Sequence, residues 1–296
     1  MSVNCCLDAR DVVGESLVWD ERRGALWWVD IVGKRIHCYT PETSRHETWP
    51  TPDFPTSIGL CADGGFIVGL TREVGLWTPS DGFESLATPE PDLPDNRLNE
   101  GRVAPDGSFW VGTMQNNLTN EGRSKDITRS SGAIYRISAN GKTTQLTPRE
   151  FGIVNTMIWM RDGRFITADT LVNTLYEYDC NAADGLLADR RVFAQGPAQG
   201  LPDGSCIDAS ERIWNCRVVE GSAVACFSPR GELERLVELP CAWPTSCTFG
   251  GPDLRTLYVT SARFTMSPER LSANPLEGGL FSCEIDAVGV LEHRFG

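Results

Sequence analysis

Four side chains pose the chemical question: Glu15, Asn99, Asn155 and Asp203. Each stands at or just before the start of a short, mostly apolar run: Leu17-Val18-Trp19, Gly101-Arg102-Val103, Met157-Ile158-Trp159 or Cys206-Ile207. Two carboxylates and two carboxamides offer only oxygen donors, which suit a hard divalent cation such as Ca²⁺, Mg²⁺ or Mn²⁺ better than a histidine-built zinc centre. The chain has three histidines, and none stands at an equivalent point. The same residue types also cap turns for purely local reasons. Taken alone, Pro202-Asp203-Gly204 reads equally as a hairpin turn, so the spacing leaves both readings open.

The elements that must position these residues repeat. A unit of apolar strand, turn, apolar-aromatic strand, gap and third strand starts at Ser16, Ser57, Gly101, Thr156, Ser205 and Ser246. Its middle strands are Ala25–Asp30, Gly65–Gly69, Ser108–Thr113, Arg164–Asp169, Arg212–Asn215 and Thr256–Thr260. A period of roughly 40 to 55 residues belongs to propeller blades of about four strands. No long amphipathic helical pattern competes, and β-branched and aromatic runs alternate with Gly, Pro and Asp turns. The sequence therefore predicts an all-β, six-bladed β-propeller occupying residues 1–296 as one domain, its inner strands converging at one mouth. To close the ring, Val3–Leu7 is expected to add a strand beside Val290–His293 in the last blade. Trp19 and Trp110 are expected to pack between blades, and Asp169 and Asp208 to cap or orient turns. The polar stretch Gln115–Ser131 is either a lid over the mouth or a surface excursion.

Composition narrows the partners. A net charge of −13 over 296 residues disfavours nucleic acid and anionic membranes, because an acidic surface repels polyphosphate. No stretch approaches the roughly 18 uncharged apolar residues of a membrane span, and Asp8, Arg10, Asp11 and Glu15 interrupt any signal-like start. Eleven scattered cysteines include no C-x-x-C pair, and several lie in apolar runs where Cys acts as a small hydrophobe. The vicinal pair Cys5-Cys6 is read as packing rather than redox chemistry. These features predict a soluble, reduced, cytoplasmic protein, a monomer or weak homo-oligomer, acting on a small molecule.

Several motifs occur in order along nearly the whole chain: Gly14-Glu15-Ser16-Leu17-Val18-Trp19, Asn96-Arg97-Leu98-Asn99-Glu100-Gly101, Trp110-Val111-Gly112-Thr113-Met114, Asn155, Ala168-Asp169-Thr170, Pro202–Asp208 and Gly250–Tyr258. With them the chain resembles the gluconolactonase, or senescence marker protein (regucalcin), family of six-bladed propellers, on its sugar lactonase branch. The resemblance implies one divalent ion held by Glu15, Asn155 and Asp203, with Asn99 nearby. Ca²⁺ is favoured over Zn²⁺, Mn²⁺, Mg²⁺ or Fe²⁺. It implies that Arg97 and Asn99 bind substrate oxygens. Where some relatives carry a substrate-contacting carboxylate after Gly-Thr-Met, this chain has Gln115, Asn116 and Asn117, and Asn117 is taken as the contact. Two further departures are Glu100 for the usual Asp and Thr156 for the usual Gly.

The implied chemistry is hydrolysis of an aldonolactone, with gluconolactone or a pentonolactone (arabinono- or xylonolactone) as substrate. A metal stabilises the oxyanion that forms as water adds to the carbonyl, and Asp203 is the expected base. Arg97 is a permanently charged fork suited to carbonyl or hydroxyl oxygens. The absence of a Gly-x-Ser-x-Gly elbow argues against a serine esterase. Two rival readings remain: a lactonase or esterase for non-sugar esters, phosphotriesters included, and a metal-binding scaffold without turnover.

Overall fold

The computed structural model describes residues 2–181, 185–196 and 198–296. Six antiparallel sheets form the blades of a propeller. Their inner strands are Gly14–Asp20, Ser57–Cys61, Asn96–Val103, Val154–Trp159, Leu201–Ile207 and Pro244–Gly250. The inner and middle strands are almost wholly buried, which explains why the sequence shows them as continuous apolar runs rather than alternating ones. The outer strands, such as Arg45–Pro50 and Leu233–Glu238, are mostly exposed or half-buried, Val237 excepted. They carry little apolar signal, and the sequence shows only three of the four strands of each blade.

The ring closes through its termini. Val3–Leu7 is the outermost strand of blade 6, as expected of that blade, but its partner is Leu280–Glu284: Val3 faces Cys283 and Cys5 faces Phe281. The expected pairing with Val290–His293 does not form, because that segment turns under the ring and leads to Arg294–Phe295. There the chain pairs in parallel with the inner strand of blade 2, Arg294 facing Leu60. Arg294 also reaches Asp20 and Glu21 of blade 1 at 2.8 Å each, while Phe295 is buried. The C-terminal segment thus occupies the end of the channel opposite the mouth. Arg102 Nε and Nη2 hold Glu292 at 3.1 and 2.6 Å from inside.

Aromatic side chains fill the gaps between blades. Trp19 stacks on Tyr258 at 6.3 Å and Trp110 packs against Phe165 at 4.9 Å, so both are structural, as expected. Asp169 accepts from Gly152 N, Ile153 N and Leu171 N, at 2.9, 3.2 and 3.1 Å. Asp208 accepts from Ser210 N at 2.8 Å and Trp214 Nε1 at 3.0 Å; both acids are turn fasteners. No disulfide joins any of the eleven cysteines, and Cys5 and Cys6 lie half-buried on the outer strand of blade 6, where burial pushes both thiols up. Among the described residues, no helix is long and apolar enough to cross a membrane.

Candidate metal centre

Every inner strand but that of blade 2 breaks its register near the mouth, at Glu15/Val18, Leu98/Gly101, Asn155/Met157, Pro202/Ser205 and Pro244/Cys247. A bulge re-aims a side chain that regular pleating would send into the space between blades. Asp203-Gly204 accordingly lies inside a strand at such a bulge, and the hairpin-turn reading is set aside. In blades 1 and 4 the residue after the candidate ligand is left-handed: Ser16 at φ 55° and Thr156 at φ 61°. A Gly at the second position would meet that conformation without steric cost. Here a β-branched residue bears the strain, offset by its hydroxyl, which donates to the Asp203 carbonyl at 2.6 Å and pairs with Ser205 Oγ at 2.8 Å. Thr156 therefore ties the ligand-bearing bulge of blade 4 to that of blade 5.

The bulges, together with the segment after Gln115 that carries Asn117, bring Glu15, Arg97, Asn99, Asn117, Asn155 and Asp203 to the lining of one open cavity. Their contacts are directional. Asn99 Nδ2 donates to Asn155 Oδ1 at 3.0 Å and to the Val154 carbonyl at 2.9 Å. Asn155 Nδ2 donates to Thr170 Oγ1, which donates in turn to the Pro202 carbonyl, each at 2.8 Å. Arg97 Nη1 donates to Asn99 Oδ1 at 2.8 Å, and Arg97 Nε to Asn117 Oδ1 at 3.0 Å. The neighbouring Asn96 anchors this strand by donating to Glu90 Oε2 at 2.9 Å. Arg97 and Asn117 are thus coupled in the resting site.

Electrostatics marks the same spot. Burial raises the Glu15 carboxyl well above its ordinary range, with further pushes from the Asp203 and Glu100 charges. Asp203 is likewise raised well, by burial and then by Glu100, and the Glu15 and Asp203 carboxyls lie close enough to hydrogen-bond. Burial pushes Arg97 down to about 10 although both acids pull it up; one guanidinium does not neutralise the acids. Two neighbouring carboxylates, one half-buried and one buried, with an amide oxygen beside them fit a divalent cation, whose charge would reverse the local pKa logic. Glu100 lies deeper along the channel, raised to about 7 by burial.

A second group, Asp11, Asp30 and His37, has potential ligand atoms within 4.8 Å of one another. Its charge is already answered by Arg35. Asp30 accepts from Val12 N, Val13 N, Gly33 N and Arg35 Nη2 at 2.9–3.2 Å. Asp11 takes Trp28 Nε1 at 2.7 Å and stands 3.5 Å from the same guanidinium. With a guanidinium among its carboxylates, the cluster serves as a brace for Val12-Val13 at the edge of the mouth.

The sequence reading missed Thr170, although it sits in the quoted Ala168-Asp169-Thr170 motif. It also missed Val219, Trp243 and Phe264, which line the cavity but lie outside the regular strands and carry no periodic signal. The stretch 115–131 is a surface excursion over most of its length, with residues 123–126 and 128–130 exposed, but it is pinned at its base. Leu118 is buried with the core of blades 1 and 2, and Lys125 N donates to the Asn117 carbonyl at 2.7 Å. That anchored base presents Asn117 to the pocket.

Fold and mouth together define a six-bladed propeller with an acidic, amide-flanked pocket at one end of its channel. Residues 13–263 match the SMP-30/Gluconolactonase/LRE-like region, and the chain belongs to that family. It is 32% identical over 298 residues to a 6-deoxy-6-sulfogluconolactonase of Pseudomonas putida, spanning 99% of this chain and 98% of that protein. Regucalcin of Oryctolagus cuniculus is 31% identical over 294 residues, 98% of this chain and 96% of its own. The structure of a calcium-binding regucalcin from Agrobacterium tumefaciens superposes with a TM-score of 0.91 at 28% identity, covering 100% of this chain and 97% of that one.

Proposed function

We propose that this protein hydrolyses a sugar lactone to the open-chain acid, using one divalent cation held by Glu15, Asn155 and Asp203. The observation that carries the reading is the pair of neighbouring carboxylates at the mouth, half-buried Glu15 and buried Asp203, beside an Asn155 amide oriented by Asn99 and Thr170. The relatives named as lactonases supply the reaction class. When bound, the cation supplies Lewis-acid stabilisation of the charge that grows on the lactone carbonyl oxygen. The all-oxygen donor set favours Ca²⁺, with Zn²⁺, Mn²⁺, Mg²⁺ and Fe²⁺ as alternatives.

The protein's own groups do the rest. Arg97, Asn99 and Asn117 form a polar wall that binds ring and hydroxyl oxygens and fixes the lactone for attack. Asp203 takes a proton from the water that adds to the carbonyl carbon. It returns that proton to the ring oxygen as the acyl–oxygen bond breaks, a role worth about 10²–10⁴-fold in rate. The lactone is a pentonolactone (arabinono- or xylonolactone) or gluconolactone. A pH-indicator assay across these lactones tests the reading: metal-dependent turnover of at least one above its uncatalysed rate supports it, and no turnover of any lactone with any of the five metals overturns it.

A further inference from the structure

Arg217, on the middle strand of blade 5 (Ile213–Val218), is fully buried. A buried cation is costly unless its donors are met, and burial pushes this guanidinium down to about 10. All three of its nitrogens are met, and every acceptor is a neutral oxygen. Nε donates to the Gln199 carbonyl at 3.3 Å and Nη1 to Asn215 Oδ1 at 3.1 Å. Nη2 donates to Asn173 Oδ1 at 2.7 Å and to the Ala198 and Gly200 carbonyls at 3.2 and 2.8 Å. Arg217 does not line the cavity, and no step of the hydrolysis uses it.

These acceptors lie on three pieces of chain, and each leads to the candidate metal centre. Ala198-Gln199-Gly200 runs directly into the inner strand Leu201–Ile207, which carries Asp203. Asn215 is wholly buried. Because a guanidinium only donates, Nη1 turns the Asn215 oxygen toward Arg217 and leaves its nitrogen for the other side. Asn215 Nδ2 donates there to the Asp203 carbonyl at 3.0 Å and to Ser205 Oγ at 2.9 Å. Asn173 ends the turn Thr170–Val172 in the left-handed region, at φ 50°, and its N–H donates to the Thr170 carbonyl at 3.1 Å. Thr170 in turn holds the Asn155 amide and the Pro202 carbonyl. Contacts with the loop carbonyls alone would make Arg217 a loop fastener. The two amide contacts carry its grip to Asn155 in blade 4 and Asp203 in blade 5 at once.

Resting on the cation site of the lactonase reading, we infer that Arg217 is a positioning residue for the metal centre. By holding the turn of Thr170, the amide of Asn215 and the loop before Asp203 in one frame, it sets the spacing between the Asn155 amide oxygen and the Asp203 carboxylate. It touches neither ion nor substrate. Its fork geometry carries the role, since a lysine keeps the charge but offers a single nitrogen to acceptors spread over three segments.

The test is calorimetric titration of the chelated full-length protein with Ca²⁺, and with Zn²⁺, Mn²⁺, Mg²⁺ and Fe²⁺ in turn, alongside melts with and without the ion. Arg217→Lys is expected to bind the ion about tenfold more weakly, the lower end of what loss of an outer partner costs. Asn173→Gly keeps the left-handed backbone and removes one acceptor; it is expected to weaken binding in the same direction by less. The rise in melting temperature on adding the ion follows ion affinity, so it shrinks in both variants. A merely structural role would lower the chelated and loaded melts together and leave affinity and rise at the wild-type values. Unchanged ion affinity in every variant that folds overturns this inference alone. Wild-type protein that binds none of the five ions overturns the cation-dependent lactonase reading and this inference with it.

Discussion

Asn99 Nδ2 donates to Asn155 Oδ1 at 3.0 Å, and this bond joins the inner strands of blades 3 and 4 across the mouth. Because Asn155 Nδ2 is at the same time committed to Thr170 Oγ1, the amide of Asn155 has a single orientation, with its oxygen on the side of the carboxylates' neighbour Asn99. Outer partners of this kind fix how a ligand presents itself.

Thr170→Val removes the acceptor for Asn155 Nδ2 while keeping the side chain's shape. An unpaired buried donor costs about 1–3 kcal/mol, and loss of an orienting partner weakens metal affinity by about 10–100-fold. Calorimetric metal titration is expected to show that weakening, with most of kcat restored at saturating metal. Unchanged affinity would show that Asn155 is oriented without Thr170.

Asp203→Asn is expected to lower kcat by at least about 10²-fold and to raise, or leave unchanged, the melting temperature of the chelated protein at neutral pH. The second effect follows from charge. Burial and neighbouring acids raise Asp203 and Glu15, so keeping both ionised costs stability when no cation is present. A melt in chelator together with a lactone assay reads both, and wild-type turnover would remove Asp203 as the base.

His37 gives a pH signature away from the mouth. It is buried between Trp28 and His46, with ring centroids at 4.6 and 5.2 Å, and burial pushes it down to about 3. Between pH 3 and 6.5 the unfolded chain therefore binds the extra proton, so stability falls as pH drops through that window, by up to about 1.4 kcal/mol per pH unit. Asp11 acts in the opposite sense, since burial raises its carboxyl. The comparison is thus between wild type and His37→Phe, which cannot charge. Urea unfolding at pH 5 and 7 is expected to show a shallower acid-side loss for the variant; equal losses would mean that His37 is not held neutral.

Thiol titration checks the reduced, buried state of the cysteines. Eight are buried and only Cys5, Cys6 and Cys180 are intermediate, so an aromatic disulfide reagent should find at most those three in the native protein and all eleven after denaturation. Cys206 and Cys247, with sulfurs 3.6 Å apart, belong to the protected set; fast modification of either would contradict the packing.

The six-blade architecture was legible because buried inner and middle strands write long apolar runs, as in Ala25–Asp30 and Phe109–Thr113. Outer strands such as Arg45–Pro50 face water and leave almost no trace. The partner of Val3–Leu7 was misjudged because Val290-Leu291 is as apolar as Leu280-Phe281, and only the path of the C-terminal segment under the ring separates them. Glu15, Asn99, Asn155 and Asp203 could be singled out because each polar residue interrupts the start of a strand. The bulges that turn them inward are backbone events with no residue signature of their own; Thr156, at a position where Gly fits best, is the nearest to one. Part of the pocket lining, Val219, Trp243 and Phe264, lies outside the regular strands, which periodicity does not reach.

The central claim is that the carboxylates of Glu15 and Asp203 and the amide of Asn155 hold one divalent ion needed for lactone hydrolysis. The most direct measurement is turnover of a sugar lactone by fully chelated protein, titrated with Ca²⁺ and then with the other divalent ions. The account predicts no turnover above the uncatalysed rate in chelator and recovery that saturates at one ion per chain, with Glu15→Gln, Asn155→Ala and Asp203→Asn each shifting or abolishing that recovery. Full activity in the chelated protein, or recovery in all three variants indistinguishable from wild type, would contradict it.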